Sequence, residues 1–319
     1  MHRSYGITAA ASLLLATSAS AQTLDDLRDS LSNALEDTHF AKGLVGLVLT
    51  SDELELSGGL LAIDDGEDTD IRTFSLPFQR TVPVSESGPR LYFEGAIGYS
   101  NAEQRVADIF DGADPMLETS VETNWITLGA LAGAGVEFDI GDEVTVAPIL
   151  NVGIARLENE TDYAGPGAAA SAALLDGIAF NWDAVAVSYG AALRAEWGRT
   201  IREGYGLSVI GRYDVRWTDS IETDDDAQSF STRAQIATVR GDVTGPTGLR
   251  LLERDLNWRT TLGYRHFVEG DLFEIKDYVT VGGALEMPHT ALDSTVSVNA
   301  ALILGEDLVG YSVGVGVSF

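Results

Sequence analysis

DLVGYSVGVGVSF, residues Asp307 to Phe319, alternates without a slip. Val309, Tyr311, Val313, Val315, Val317 and Phe319 share one parity, with Leu308, Gly310, Ser312, Gly314, Gly316 and Ser318 on the other. Successive side chains of a β-strand point to opposite faces, so one face here is apolar and the other almost bare of bulk. A strand of that kind with a terminal aromatic suits a segment that meets lipid on one side and a lumen on the other.

The start of the chain agrees with export. Met1, His2 and Arg3 give a short positive start, Ile7 to Ala16 an apolar core, and Ala19-Ser20-Ala21 a small-residue cleavage box. Residues 1–21 therefore read as a signal peptide, with Gln22 the expected mature N-terminus. No other stretch approaches the roughly 20 continuous apolar residues of a transmembrane helix. An exported chain without such spans can still cross a membrane as a closed barrel, the other backbone arrangement that lipid tolerates. A mean hydropathy of +0.06 fits strands that are apolar on one face only. The chain has no cysteine, which removes disulfides and thiolate metal sites. Its 20 basic residues against 49 acidic ones argue against nucleic acid as a partner.

Reading back from Phe319, alternating stretches separated by turn residues fall at about 293–304, 274–287, 254–268, 228–242, 204–219, 179–198, 142–158, 121–139, 90–102, 69–80 and 54–63. With the last strand they make twelve, an even number that puts both barrel ends on one side of the membrane. In the strand from Tyr205 to Trp217, the parity of Tyr205, Leu207, Val209, Tyr213, Val215 and Trp217 opposes Ser208, Arg212, Asp214 and Arg216. Three charges on one face require that face to be wet. Residues 228–242 alternate poorly. The connections expected outside the membrane (64–68, 103–120, 159–178, 220–227, 269–273 and 305–306) hold nineteen acidic residues against one basic residue, Arg105. An error of one strand would mix the two sets of connections, so this asymmetry supports twelve.

Ahead of the first strand, Leu24, Leu27, Leu31, Ala34 and Leu35 recur at helical spacing. Thr23 suits the cap, and Asp25 and Asp26 the positive end. The fold expected is all-β: a closed antiparallel transmembrane β-barrel of about 12 strands with a short N-terminal amphipathic helix. Residues 22–53 carry that helix and a linker, and 54–319 the barrel. The apolar run Gly43 to Thr50 is the competing candidate for an extra strand.

A helix followed by twelve strands, the last ending in Phe, resembles the translocator barrel of autotransporters. The Asp242-Val-Thr-Gly-Pro-Thr-Gly248 turn followed by Leu256-Asn257-Trp258 resembles the solitary autotransporter-type outer-membrane barrels, which have no passenger domain. The resemblance implies residence in the Gram-negative outer membrane and the 23–40 helix as a pore plug. It also implies insertion by a barrel-assembly machinery that reads the final strand, with Tyr311 and Phe319 the matching residues.

Inward parity collects charges: Glu94, then Arg194 and Glu196, then Arg212, Asp214 and Arg216, then Arg259 and Arg265. At a constriction these would favour anions. The plainer reading is that they pair and fill the lumen, the usual fate of a charge facing a barrel interior. A turn at 199–203 would set Gly190, Ser188 and Ala186 opposite the long side chains. The loop from Ala164 to Phe180 admits a short helix over 168–175, either folded inward or lying at the outer leaflet.

The acidic runs Asp64-Asp65-Gly66-Glu67-Asp68 and Asp224-Asp225-Asp226 lack the ligand spacing of a calcium loop. They suit a solvated surface, or contact with outer-membrane lipid and lipopolysaccharide through divalent cations. Neither cofactor nor intrinsic metal is expected. For catalysis the mature chain offers His39, His266 and His289 as general bases. His266 sits on the lipid-facing parity near a strand end, but Val268 stands where a lipase of this type would need its serine. The reading is thus a non-enzymatic barrel, plugged or narrowly conducting. An open porin for small, anionic solutes is the alternative, and an outer-membrane hydrolase the third class.

Overall fold

The computed structural model describes residues 58–63, 69–85, 88–106, 116, 118–224, 228–270, 275–289, 294–306 and 308–318. The leader, the 23–40 helix, the Gly43 to Thr50 run, the Asp64 to Asp68 acidic run, His39 and Phe319 lie outside them.

The chain is all-β and antiparallel. Its strands are β1 (Gly58–Ile63), β2 (Thr69–Pro83), β3 (Arg90–Val106), β4 (Ser120–Ile140), β5 (Val144–Ala164) and β6 (Trp182–Arg202). They continue with β7 (Tyr205–Thr223), β8 (Ser231–Leu251), β9 (Arg254–Glu269), β10 (Asp277–His289), β11 (Ser294–Gly305) and β12 (Leu308–Ser318). One helix, α1 (Ala168–Leu175), interrupts the series between β5 and β6. Each strand pairs with its neighbours in sequence, and β1 also pairs with β12 from Gly59↔Ser312 to Ile63↔Leu308. No helix among the described residues is long and apolar enough to cross a membrane.

Side-chain parity explains why these residues form one sheet. In β12, Val309, Tyr311, Val313 and Val315 are exposed, whereas Leu308, Gly310 and Ser312 are buried. In β3, Leu91, Phe93, Ile97 and Tyr99 face out, and Tyr92, Glu94 and Ser100 face in. On β6 the outward positions from Val185 to Trp197 carry no charge, with Asp183 and Arg199 just beyond. Thirteen residues rising about 3.3 Å each, tilted by about 40°, span roughly 30 Å, close to the height of a bilayer's apolar core. Strands β4, β5, β6 and β8 have 21 residues each and therefore project past that band.

Tight turns join the strands at one end. Gly141 to Glu143 link β4 to β5, Glu203 and Gly204 link β6 to β7, and Leu252 and Glu253 link β8 to β9. The last is a correction, because Asp242 to Gly248 is not a turn. Strand β8 runs through it to Leu251, with a register shift between Pro246 and Arg250 that absorbs the proline and its neighbours. A bulge is where an otherwise regular strand tolerates proline. The reversal falls on Leu252 and Glu253, both left-handed at φ 51° and 64°.

The poor alternation of β8 also has a local cause. Ile236, Thr238, Arg240 and Asp242 face in, and Ala237, Val239, Gly241 and Val243 face out. An apolar residue inside and small ones outside blur the signal.

Candidate functional site

The interior is packed with side chains in two zones. At the long-loop end, Ile71, Trp125, Leu157, Trp182, Phe230, Ile236, Phe267, Tyr278 and Ile303 belong to one contiguous buried cluster fed by strands all round the ring. Trp125 and Trp182 meet edge to face with centroids 5.6 Å apart. Both rings are buried in the interior. Aromatic surface of that size is withdrawn from water only by mutual contact, so this end of the lumen has an apolar core of its own.

Toward the short-turn end the interior is ionic. Arg212 on β7 reaches across the lumen to Glu94 on β3, with Nη1 2.6 Å from Oε2 and Nη2 2.9 Å from Oε1. The same guanidinium donates Nε and Nη2 to Asp214, both at 2.8 Å. The Tyr92 hydroxyl donates to Glu94 at 3.0 Å, and the Arg194 guanidinium lies over the Tyr92 ring at 5.7 Å. Arg194 donates to Glu196 at 2.5 Å and comes within 3.8 Å of Glu137. Glu137 in turn accepts from Arg90 at 2.8 Å. On β8, Arg240 donates to Asp242 at 2.9 Å, and the Thr261 hydroxyl donates to the other Asp242 oxygen at 2.6 Å. Arg259 pairs with Glu286 at 2.8 Å.

The eight residues singled out from parity lie on the interior face. Glu94, Arg194, Asp214, Arg216, Arg259 and Arg265 are buried, the Arg212 side chain is 9% exposed, and Glu196 is half-buried. The register differs from expectation. With the β6–β7 turn at Glu203 and Gly204, Gly190 faces Arg216, Ala192 faces Asp214, and Arg194 faces Arg212. Gly190 still makes room, since a Cβ there would come within 2.4 Å of the Val215 carbonyl oxygen. Gly133 does the same for Glu94, whose Cγ would lie 2.7 Å from an added Cβ.

Sequence reading missed Tyr92, Glu137, Arg240, Asp242 and Glu286. The signal for one pair was present: Arg-x-Asp at 240–242 repeats the Arg-x-acid spacing of 194–196 and 212–214 on an adjacent strand. Treating Asp242 as the start of a turn concealed it.

The loop from Gly165 to Asn181 contains α1 and is tied to its surroundings on both sides. Gly167 N–H donates to the Glu118 carbonyl at 3.1 Å, and Ser171 Oγ lies 2.9 Å from Thr119 Oγ1. Gln228, at the β7–β8 connection, donates to the carbonyls of Gly177 and Ile178 at 2.9 and 2.7 Å. Leu174, Leu175, Ile178 and Phe180 are buried beneath it.

His266 faces outward on β9, with Nδ1 3.8 Å from Asp277 on β10 and its ring stacked on Tyr264. Val268 follows on the same exposed face. No cluster of three potential metal ligands occurs among the described residues.

With this geometry in view, comparison with known proteins identifies the barrel type. Residues 67–245, more than half of the chain, match the model of the solitary outer membrane autotransporter beta-barrel domain. The chain belongs to that family. It is accordingly an autotransporter-type barrel of the Gram-negative outer membrane.

Among solved structures, the beta domain of the Bordetella autotransporter BrkA is similar at 14% identity and TM-score 0.51, over 82% of this chain and 96% of that one. The transport unit of AIDA-I from Escherichia coli matches at 9% identity and TM-score 0.49 over the whole of both chains. The translocator domain of NalP from Neisseria meningitidis matches at 13% identity and TM-score 0.48, over 91% of this chain and 96% of that one. At these identities the BrkA likeness is one of fold. A search of curated proteins gives no match.

Proposed function

We propose that this solitary autotransporter-type chain works as a closed, twelve-stranded transmembrane barrel that is not an enzyme and whose lumen is occluded by its own side chains. The observation that carries this reading is the pairing of an apolar cluster at one end with the Arg212–Glu94 bridge that crosses the interior below it. Water and ions would have to part both to pass. The β1–β12 pairing supports closure, because in lipid each unpaired backbone group costs several kcal/mol. Exposed tyrosine and tryptophan such as Tyr189 and Trp217, stacked at 5.9 Å, suit the membrane interface. The long, acidic connections are placed outside the cell, where divalent cations would bridge them to lipopolysaccharide, and the assembly machinery is the partner during insertion. Residues 23–40 would add to the occlusion as a second plug.

Planar-bilayer conductance tests this reading. The full chain should give no steps of porin size, and deletion of residues 23–42 should raise conductance only slightly. Large, anion-selective steps from the unaltered chain would establish the porin alternative. Phospholipid or peptide turnover that disappears in His266→Ala would establish the hydrolase.

A further inference from the structure

Between the ion pairs lies a cavity of about 80 Å³, room for two or three waters at about 30 Å³ each. Its wall is unusually basic: Arg194, Arg212, Arg240 and Arg265 all line it, with Glu94 the carboxylate among the lining residues. Asp214 and Asp242 engage their arginines without lining it. Arg240 spends its Nε on Asp242, leaving two terminal nitrogens beyond that bond. Arg194 gives one terminal nitrogen to Glu196. Thr238 also lines the cavity, and its hydroxyl is buried without a hydrogen-bond partner.

A buried hydroxyl left unmatched costs free energy until something accepts or donates to it. Guanidinium groups lining a small cavity offer paired N–H donors that match two oxygens along one edge of an oxyanion. We infer that the cavity binds one small inorganic oxyanion of the phosphate or sulfate class, held by Arg194, Arg240 and Arg265 and receiving the Thr238 hydroxyl. This is a resident site within the lumen and not a route through it, so it holds whether or not the barrel conducts.

The test is equilibrium binding of radiolabelled inorganic phosphate to the full chain, folded in zwitterionic detergent, at constant ionic strength. Occupancy of a single site saturates with phosphate concentration, whereas non-specific uptake rises without saturation. The unaltered chain should saturate, and so should Arg72→Gln, whose arginine sits on the outer face near Glu103. Arg240→Gln should raise the half-saturating concentration about tenfold or more, the worth of one charge-assisted hydrogen bond. If that variant fails to fold, Thr238→Val, which keeps the side-chain shape, reads the same site and should weaken binding severalfold. A non-saturating response of the unaltered chain, or equal saturation in the cavity and surface variants, overturns the inference. Porin-like conductance alongside a saturating response would overturn the occluded reading and leave this one standing.

Discussion

Arg194 and Arg212 stand directly opposite each other across the β6–β7 ladder, two cations turned into the same interior. Like charges in that relation repel, yet each has its own carboxylates: Glu196 and Glu137 for Arg194, Asp214 and Glu94 for Arg212. The pair is tolerable only while those four acids stay in place.

Removing one member should therefore be costly. Arg212→Met leaves Glu94 and Asp214 facing each other without their cation, and a loss of about 3–5 kcal/mol is expected. Adding Glu94→Gln to that variant should recover part of it, so the double mutant costs less than the two single changes summed. Urea unfolding in lipid vesicles measures all three, and simple additivity would show that the bridge across the lumen contributes nothing.

Gly190→Ala tests the close approach of β6 to β7. The new Cβ would fall 2.4 Å from a backbone carbonyl, which cannot swing aside as a side chain would. An overpacking cost of about 1–3 kcal/mol is expected. A variant as stable as the parent in the same unfolding assay would mean that the strands part easily at this point.

The β8–β9 turn should accept improvement. Leu252 and Glu253 occupy left-handed backbone that Asn and Gly adopt more readily. Leu252→Asn with Glu253→Gly should stabilise the barrel by about 1–3 kcal/mol, the range associated with such strain. An unchanged or lowered urea midpoint contradicts the assignment of the turn to these two residues.

The apolar cluster predicts its own leak. Trp125→Ala combined with Trp182→Ala removes two rings in mutual contact and opens a cavity in the cluster. Single-channel recording should then show small conductance steps that the parent lacks. Silence in the double variant would place the barrier elsewhere, in the ionic zone or in residues 23–40.

Much of the architecture was legible because a half-buried strand writes its environment into every second residue. Val309 to Val315 and Tyr205 to Trp217 both read correctly. Reading failed where local and tertiary signals compete. Gly245, Pro246 and Gly248 look like a turn, but the ladder to β9 pairs Gly245 with Trp258 and Pro246 with Asn257 and resumes at Arg250, so the strand runs on through a bulge. Conversely, Leu252 and Glu253 carry no turn signature and are forced into one by the strands they join. The partners of the inward charges were hidden for a different reason. Glu94 and Arg212 are 118 positions apart, and only the curling of the sheet brings them within reach.

One recurring detail bears on how such a barrel is made. Arg194 with Glu196, Arg212 with Asp214 and Arg240 with Asp242 set a cation and an anion two residues apart on three successive strands. Each of these three guanidiniums therefore has an anion on its own strand and need not wait for a distant segment before it leaves water. The order in which the wall is laid down is thereby freed from the order in which charges meet.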